Sequence, residues 1–171
     1  MNSGELLNIL QNDQDTTVMN PAVKPLNHFL EDSLERPSMT IVNLDPCDEP
    51  GSHWVAVHVP LYGHTEYFDS YGKKPDKNFL LKLQKINGKV LLSNCSVQGI
   101  STVCGQYCLL FLLLRSRNYT FHDIVTSFLL CESSAERDII VNDIINSLFK
   151  SVLNRRLRVV DEVFINKINQ H

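Results

Sequence analysis

The chain has 171 residues, of which 43% are hydrophobic and 20% are charged, a composition typical of one soluble globular domain spanning residues 1–171. Its formal net charge of −3 excludes a protein whose whole surface is built to bind nucleic acid. The cysteines number five, which is odd, and no secretory leader pattern precedes them. These features exclude a disulfide scaffold and predict a reduced, intracellular compartment.

The elements of the N-terminal part follow from the spacing of its apolar residues. Residues 3–11 carry leucine and isoleucine at helical spacing, which predicts a short helix with Ser3 as its cap. Residues 13–37 contain Pro21, Pro25 and Pro37 and predict turns, with one helical turn around residues 26–34.

Short segments rich in β-branched residues predict a sheet in the middle of the chain. These segments are residues 40–44, 54–61, 64–71 and 89–94. The second and third flank Tyr62 and Gly63 and predict a hairpin.

Helical spacing dominates the remainder. Helices are predicted over residues 79–86, 105–115, 121–130 and 133–153. Thr120 is the expected cap of the third helix, and Ser133 with Glu136 form a capping box for the fourth. The run at residues 103–114 is shorter than the roughly 20 residues that cross a bilayer, so it predicts a core helix and no membrane contact. The order of elements predicts an α+β fold. In it, a mostly antiparallel sheet is covered by helices, and the C-terminal half is helical.

Cys104 opens that apolar run in the segment STVCGQYC. A thiolate is the nucleophilic form of cysteine, and the ordinary thiol pKa of about 8.5 leaves little of it at neutral pH. The positive end of a helix dipole and a neighbouring imidazolium both favour the anion. Cys104 is therefore a candidate nucleophile, with a buried structural cysteine as the alternative. Gly105 beside it would let a substrate backbone approach closely.

His53 and Asp69 are the candidate base and its orienting carboxylate. His53 stands where a loop enters a strand, next to Trp54, the single tryptophan of the chain. Asp69 ends the strand predicted to pair with it. The two side chains share a face only if the hairpin loop has an odd number of residues, so the hypothesis predicts a loop of about three or five residues, or a bulge. A two-residue turn at Tyr62 and Gly63 would place Asp69 on the wrong face.

Gln98 precedes Cys104 on a predicted loop. Its side-chain amide, with the backbone N–H of Cys104, could stabilise the oxyanion of a tetrahedral intermediate. The alternative is an ordinary loop glutamine. The set of His53, Asp69, Gln98 and Cys104 lies at the boundaries of predicted elements, where side chains can converge on one site.

The segments GSHWVAVHV, YFDSYG and SVQGISTVCGQYC, in that order, resemble the adenovirus-type cysteine endopeptidases. The resemblance is strongest to the enzymes of Polinton or Maverick transposons and adintovirus-like elements, and it covers residues 40–153, the expected core. It implies a fold related to the ubiquitin-like-protein proteases, in which a buried helix led by the nucleophile Cys104 packs on the sheet that carries the histidine and the acid. It also implies His53 as general base, Asp69 as its orienting acid, Cys104 as nucleophile and Gln98 in the oxyanion hole, with Trp54 and Gly105 as substrate-binding candidates.

Two departures bear on cofactors. The adenovirus enzyme binds an activating peptide through a disulfide, but Asn87 stands near the matching position, which argues against such a peptide. That enzyme is also basic and uses DNA, whereas this chain is acidic. One lysine-rich segment keeps nucleic-acid contact open, with a solvated surface as the alternative, and "NRRLR" at residues 154–158 adds positive charge. The lysine-rich segment covers residues 73–89 and carries Lys73, Lys74, Lys77, Lys82, Lys85 and Lys89. No required cofactor is expected.

The leading hypothesis is a monomeric cysteine endopeptidase that processes capsid or core precursor proteins of a viral or virus-like element. It would act in the host cytoplasm or nucleus, or packaged in virions. The alternative within the fold is a deconjugating protease for ubiquitin-like modifiers, although Val103 replaces the acidic residue that those enzymes usually carry before the nucleophile. An inactive binding module is a weaker alternative, because the set of four candidate residues is intact. A zinc site using Cys95, Cys104, Cys108 and a histidine is also weaker, because the cysteine spacing is not that of a zinc site. No metal is expected.

Overall fold

A five-stranded sheet organises the chain, with its strands side by side in the order in which they occur in the sequence. The computed structural model describes residues 1–49 and 51–153, so the basic stretch at residues 154–158 lies outside the described residues. The strands are β1 (Pro21–Pro25), β2 (Ser38–Asn43), β3 (Trp54–Val59), β4 (Thr65–Phe68) and β5 (Val90–Leu92). Strands β2, β3 and β4 are antiparallel, and each edge strand runs parallel to its neighbour. The α+β prediction is confirmed, and the antiparallel arrangement holds for the three central strands.

Helices cover both faces of this sheet. They are α1 (Ser3–Asn12), α2 (Gln14–Thr17), α3 (Leu26–Glu31), α4 (Lys77–Asn87), α5 (Cys104–Ser116), α6 (Phe121–Leu129) and α7 (Ser134–Leu153). The predicted caps at Thr120 and Ser133 are confirmed by their bonds to the backbone N–H groups of Asp123 and Glu136. The predicted cap at Ser3 is wrong. Asn2 forms the capping box with Glu5 instead, because its side-chain oxygen accepts the Glu5 N–H.

Strand β1 was not predicted, since two prolines bound it where turns were expected. It pairs in parallel with β2 alone and lies at the edge of the sheet. Proline has no N–H to donate to a ladder, but an edge strand has one side that needs no hydrogen bonds. The neighbouring strand therefore decides the conformation of residues 21–25, against their local sequence.

Helix α5 is buried along its whole apolar run and packs against β3 between the sheet and the helices α1, α6 and α7. The ring of Phe111 stacks on Phe68 of β4, with centroids 4.7 Å apart and planes at 4°. The opposite sheet face packs on α3 and α4 around Phe29 and Phe79. This two-sided packing fixes the start of α5 relative to the ends of β3 and β4. Within the two described ranges, no helix is long and apolar enough to cross a membrane.

Candidate active site

Three elements meet at one end of the sheet and bring the predicted triad together. His53 immediately precedes β3, Asp69 immediately follows β4, and Cys104 is the first residue of α5. The Nε2–H of His53 donates to Oδ1 of Asp69 at 3.0 Å. Asp69 is fully buried, and Cys104 is 8% exposed. Because each side chain extends from a terminus of a packed element, their relative positions are set by the core.

The hairpin has the loop parity that the triad requires. Strands β3 and β4 are separated by residues 60–64, a five-residue loop, so His53 and Asp69 lie on the same side as predicted. The register pairs Ala56 with Phe68, which places Tyr71 opposite His53 when it is extended past the strand ends. The ring centroids of His53 and Tyr71 are 5.0 Å apart, as this register requires. Asp69 therefore reaches His53 diagonally rather than directly across the pair.

Asp69 is held rigidly by its surroundings. Its Oδ1 also accepts the backbone N–H of Tyr71 at 2.7 Å, and its own backbone carbonyl accepts the Ser93 hydroxyl at 3.0 Å. The second carboxylate oxygen, Oδ2, is buried without a hydrogen-bond partner among the described residues. The carboxylate thus directs Oδ1 at the imidazole, and Oδ2 meets no donor within the described ranges.

The electrostatics of the site favour charge separation between thiol and imidazole. Burial disfavours protonation of His53, but the hydrogen bond to Asp69 and the contact with Cys104 outweigh it and raise its pKa from 6.5 to about 9. Burial also acts to raise the pKa of Cys104, yet His53 and the backbone of Trp54 and Gly105 lower it overall. The two shifts together favour a thiolate beside an imidazolium. The Nδ1 of His53 is buried and has no hydrogen-bond partner in the described part of the chain, which leaves it for proton exchange.

Gln98 is 4% exposed and points its amide at the backbone before Cys104. Its Oε1 accepts the Ser70 hydroxyl at 2.6 Å, while its Nε2 donates to the Ser101 carbonyl at 2.6 Å and to the Tyr71 hydroxyl at 3.2 Å. A carbonyl accepts only, so these partners fix which end of the amide is nitrogen. Both amide hydrogens have acceptors, and the longer bond, to Tyr71, is the one that an oxyanion could replace.

Trp54 and Gly105 are neighbours close to the nucleophile. A Cβ added to Gly105 would lie 3.4 Å from Leu6 Cδ1 and 3.5 Å from Trp54 Cδ1, which are ordinary van der Waals distances, so a methyl group would fit beside this glycine. Trp54 lines a cleft of about 520 Å³, and Val103 lines another of about 770 Å³. Substrate contact through Trp54 and Gly105 stays a prediction.

Several residues of the site were not singled out from the sequence. Ser70 and Tyr71 directly follow Asp69 in the YFDSYG segment, so their proximity was a signal that could have been used. Ser101 receives the Gln98 amide through its backbone, which no side-chain pattern reveals. For the zinc alternative, the described residues contain no grouping of three or more histidine, cysteine or carboxylate side chains suited to a metal ion.

A buried thiol at a helix start, facing an imidazole that a carboxylate orients, has the chemistry of a thiol hydrolase. No family model matches the chain. It is 29% identical to the cysteine protease S273R of a tick isolate of African swine fever virus from Malawi, over 111 residues that cover 56% of this chain and 41% of the relative. It is 28% identical, with the same coverage, to a protein of a Kenyan pig isolate named SUMO-1 cysteine protease S273R. The chain thus spans about two-fifths of the length of the curated relatives it matches.

The fold has a counterpart among solved structures. The crystal structure of the African swine fever virus pS273R protease matches with a TM-score of 0.52 over 86% of this chain and 64% of that one, at 18% identity. This likeness shows a shared fold. The α+β architecture inferred from the sequence is therefore one that the pS273R protease shares.

Proposed function

We propose that the chain is a cysteine endopeptidase whose triad is Cys104, His53 and Asp69. The proposal rests on one observation above the others: the 3.0 Å bond from His53 to Asp69 stands at the start of the helix that Cys104 begins. The reciprocal pKa shifts of His53 and Cys104 and the likeness to proteins named cysteine protease support it.

In the acylation step, the Cys104 thiolate attacks the carbonyl carbon of the scissile bond. The developing oxyanion would accept the backbone N–H of Cys104 and the Gln98 N–H that Tyr71 now shares. The His53 imidazolium then gives its Nδ1 proton to the leaving amine, so the C–N bond breaks and a thioester remains. Asp69 stabilises the imidazolium while it carries the positive charge.

Deacylation runs through the same groups. Neutral His53 takes a proton from water at Nδ1, and the hydroxide equivalent attacks the thioester. The C–S bond breaks, the acid product leaves, and the thiolate–imidazolium pair is restored. No metal or organic cofactor enters either step.

The substrates that we propose are capsid or core precursor proteins of a viral or virus-like element of the Polinton and adintovirus type. The adenovirus-type segments around His53, Asp69 and Cys104 support this assignment. The enzyme would act as a monomer in the host cytoplasm or nucleus, or in packaged virions. The second candidate is a deconjugating protease for ubiquitin-like modifiers, and the observation that favours it is the name SUMO-1 cysteine protease carried by one relative.

A nucleic-acid cofactor would bind through the lysines that are exposed around α4. Those lysines are Lys73, Lys74, Lys77, Lys85 and Lys89. Lys82 differs from them, because its ammonium donates to the backbone carbonyls of Leu30 and Asp32 and burial lowers its pKa. We therefore expect Lys82 to anchor α3 to α4, and the other five lysines to supply any contact with phosphates.

The test compares wild type with Cys104→Ala on a fluorogenic peptide library rich in Gly-Gly and Gly-X sites, with and without DNA. A ubiquitin-like precursor is assayed in parallel. Peptide cleavage that disappears in Cys104→Ala supports the endopeptidase, and turnover of the ubiquitin-like precursor alone supports the deconjugase. If neither substrate is cleaved and Cys104 resists alkylation, the proposal is wrong. Stimulation by DNA that falls with added salt would assign the lysine surface.

A further inference from the structure

Asp138 is a buried carboxylate on α7, outside the proposed triad. It is 6% exposed and accepts hydrogen bonds from three neutral donors. The Ser101 hydroxyl donates at 2.5 Å, the Tyr107 hydroxyl at 2.9 Å and the Gly99 backbone N–H at 3.1 Å. A buried anion needs such donors, and here two of the three belong to the loop that precedes Cys104.

That loop carries the proposed oxyanion donor. Gln98 adjoins Gly99, and the Gln98 amide donates to the Ser101 backbone carbonyl at 2.6 Å. The Tyr71 hydroxyl donates to the same carbonyl at 3.3 Å. Asp138 therefore binds Gly99 and Ser101. Through Ser101 it positions the backbone carbonyl that accepts the side-chain amide of Gln98.

The contact between loop and helix is too close for an added side chain. A Cβ on Gly99 would lie 2.9 Å from Oδ2 of Asp138 and 3.1 Å from Oγ of Ser134. Contacts under 3.0 Å do not occur without a shift of one partner. Gly99 thus lets the loop lie directly on α7, where the carboxylate can reach the backbone N–H.

We infer that Asp138 is a positioning residue that holds the Gln98 loop in the geometry needed to stabilise the oxyanion, an inference that rests on the proposed function. Both oxygens of Asp138 accept the Gly99 N–H at 3.1 Å. Asparagine has the same shape but only one acceptor oxygen and no charge, so these hydrogen bonds become fewer and weaker. The Asp138→Asn variant would therefore loosen the loop while leaving Cys104, His53 and Asp69 in place.

The experiment separates oxyanion stabilisation from thiolate formation. Asp138→Asn is compared with wild type and with Asp143→Asn, an exposed aspartate of the same helix. For Asp138→Asn we expect kcat to fall about 10- to 100-fold with KM within about twofold, since removal of one oxyanion donor costs about 10²–10³ in rate. Affinity for a peptide aldehyde, whose hemithioacetal oxygen occupies the oxyanion position, should fall by a similar factor. Alkylation of Cys104 by iodoacetamide should stay within about twofold, because it needs only the thiolate.

Two results would overturn the inference. Alkylation that falls in parallel with kcat would show general damage to the site, and a kcat within about twofold of wild type would show that Asp138 has no role in positioning. Ser101→Ala, which removes only one donor, provides a milder variant should Asp138→Asn fail to fold. Its kcat should fall by a smaller factor, again with unchanged alkylation.

An activity-independent measurement distinguishes this inference from the proposed function. Exchange of the Gly99 amide hydrogen should be at least about tenfold faster in Asp138→Asn than in wild type or Asp143→Asn. If wild type cleaves neither substrate, the proposed function and the catalytic part of the inference are wrong together. Gly99 exchange then decides by itself whether Asp138 anchors the loop.

Discussion

His53 donates to Asp69 across 3.0 Å although the two residues are not opposite each other in the hairpin. The extended register places Tyr71 opposite His53, and the carboxylate of Asp69 reaches back along the strand to the imidazole. The Tyr71 N–H then binds the same Asp69 oxygen, at 2.7 Å. One carboxylate oxygen consequently orients the histidine and closes the turn after β4.

The charge of Asp69 can be separated from its orienting role. Its Oδ2 has no donor among the described residues, so asparagine can place its N–H₂ group there and keep the bond from His53. Asp69→Asn should fold normally but lose the charge-assisted part of the bond, lowering kcat/KM about 10- to 100-fold. Asp69→Ala should lose more, because the imidazole is no longer oriented. Equal losses in the two variants, measured with one peptide substrate, would contradict this division.

The pH dependence of activity should be bell-shaped with a high alkaline limb. His53 must be protonated to release the leaving amine, and its pKa is raised from 6.5 to about 9. Its protonated form is therefore retained at neutral pH and lost as the pH rises through about 9. The acid limb should lie below the ordinary thiol pKa of about 8.5, because the pKa of Cys104 is lowered. A rate of Cys104 alkylation that rises only near pH 8.5 would refute the ion pair.

Gly72 should be much less tolerant of a side chain than Gly88, although both have φ between +60° and +80°. A Cβ on Gly72 would lie 2.5 Å from the backbone carbon of Cys95, whereas nothing lies within 4 Å of one on Gly88. Gly88→Ala should therefore lower the free energy of unfolding only by the left-handed backbone penalty of about 1–2 kcal/mol. Gly72→Ala should add an overpacking cost of about 1–3 kcal/mol. Urea denaturation of both variants is the measurement, and similar losses would contradict the close packing at Cys95.

The cluster of buried His58 and Glu66 with part-buried Arg115 should matter for stability. Arg115 pairs with Glu66 through two bonds of 2.7 and 2.8 Å, and His58 lies 2.8 Å from the same carboxylate. Arg115→Met would strand a buried charge and should lower the free energy of unfolding by about 3–5 kcal/mol. Lys24→Met, which breaks the more exposed pair with Asp32, is the control and should lower the free energy of unfolding far less, because solvent screens that pair. A loss below about 1 kcal/mol for Arg115→Met would show that the cluster adds little.

Much of the site could be predicted from the sequence because its chemistry is local. A cysteine at the start of an apolar helix, a histidine where a strand begins and an aspartate where the next strand ends are visible in the order of the residues. The loop parity of the hairpin also followed, since side chains alternate along a strand and a shift of one residue reverses their faces. The caps at Thr120 and Ser133 depend only on residues three positions apart.

The sequence by itself thus determined the order of the helices and central strands and the residue types that meet at the site. Only the tertiary structure decided that the proline-bounded residues 21–25 form an edge strand, that Tyr71 rather than Asp69 stands opposite His53, and that Asp138 binds the N–H of Gly99 from 39 residues away. The physical reason is the same in each case. These features depend on which donor, acceptor or strand the fold brings alongside, and local periodicity carries no information about partners so distant in the chain.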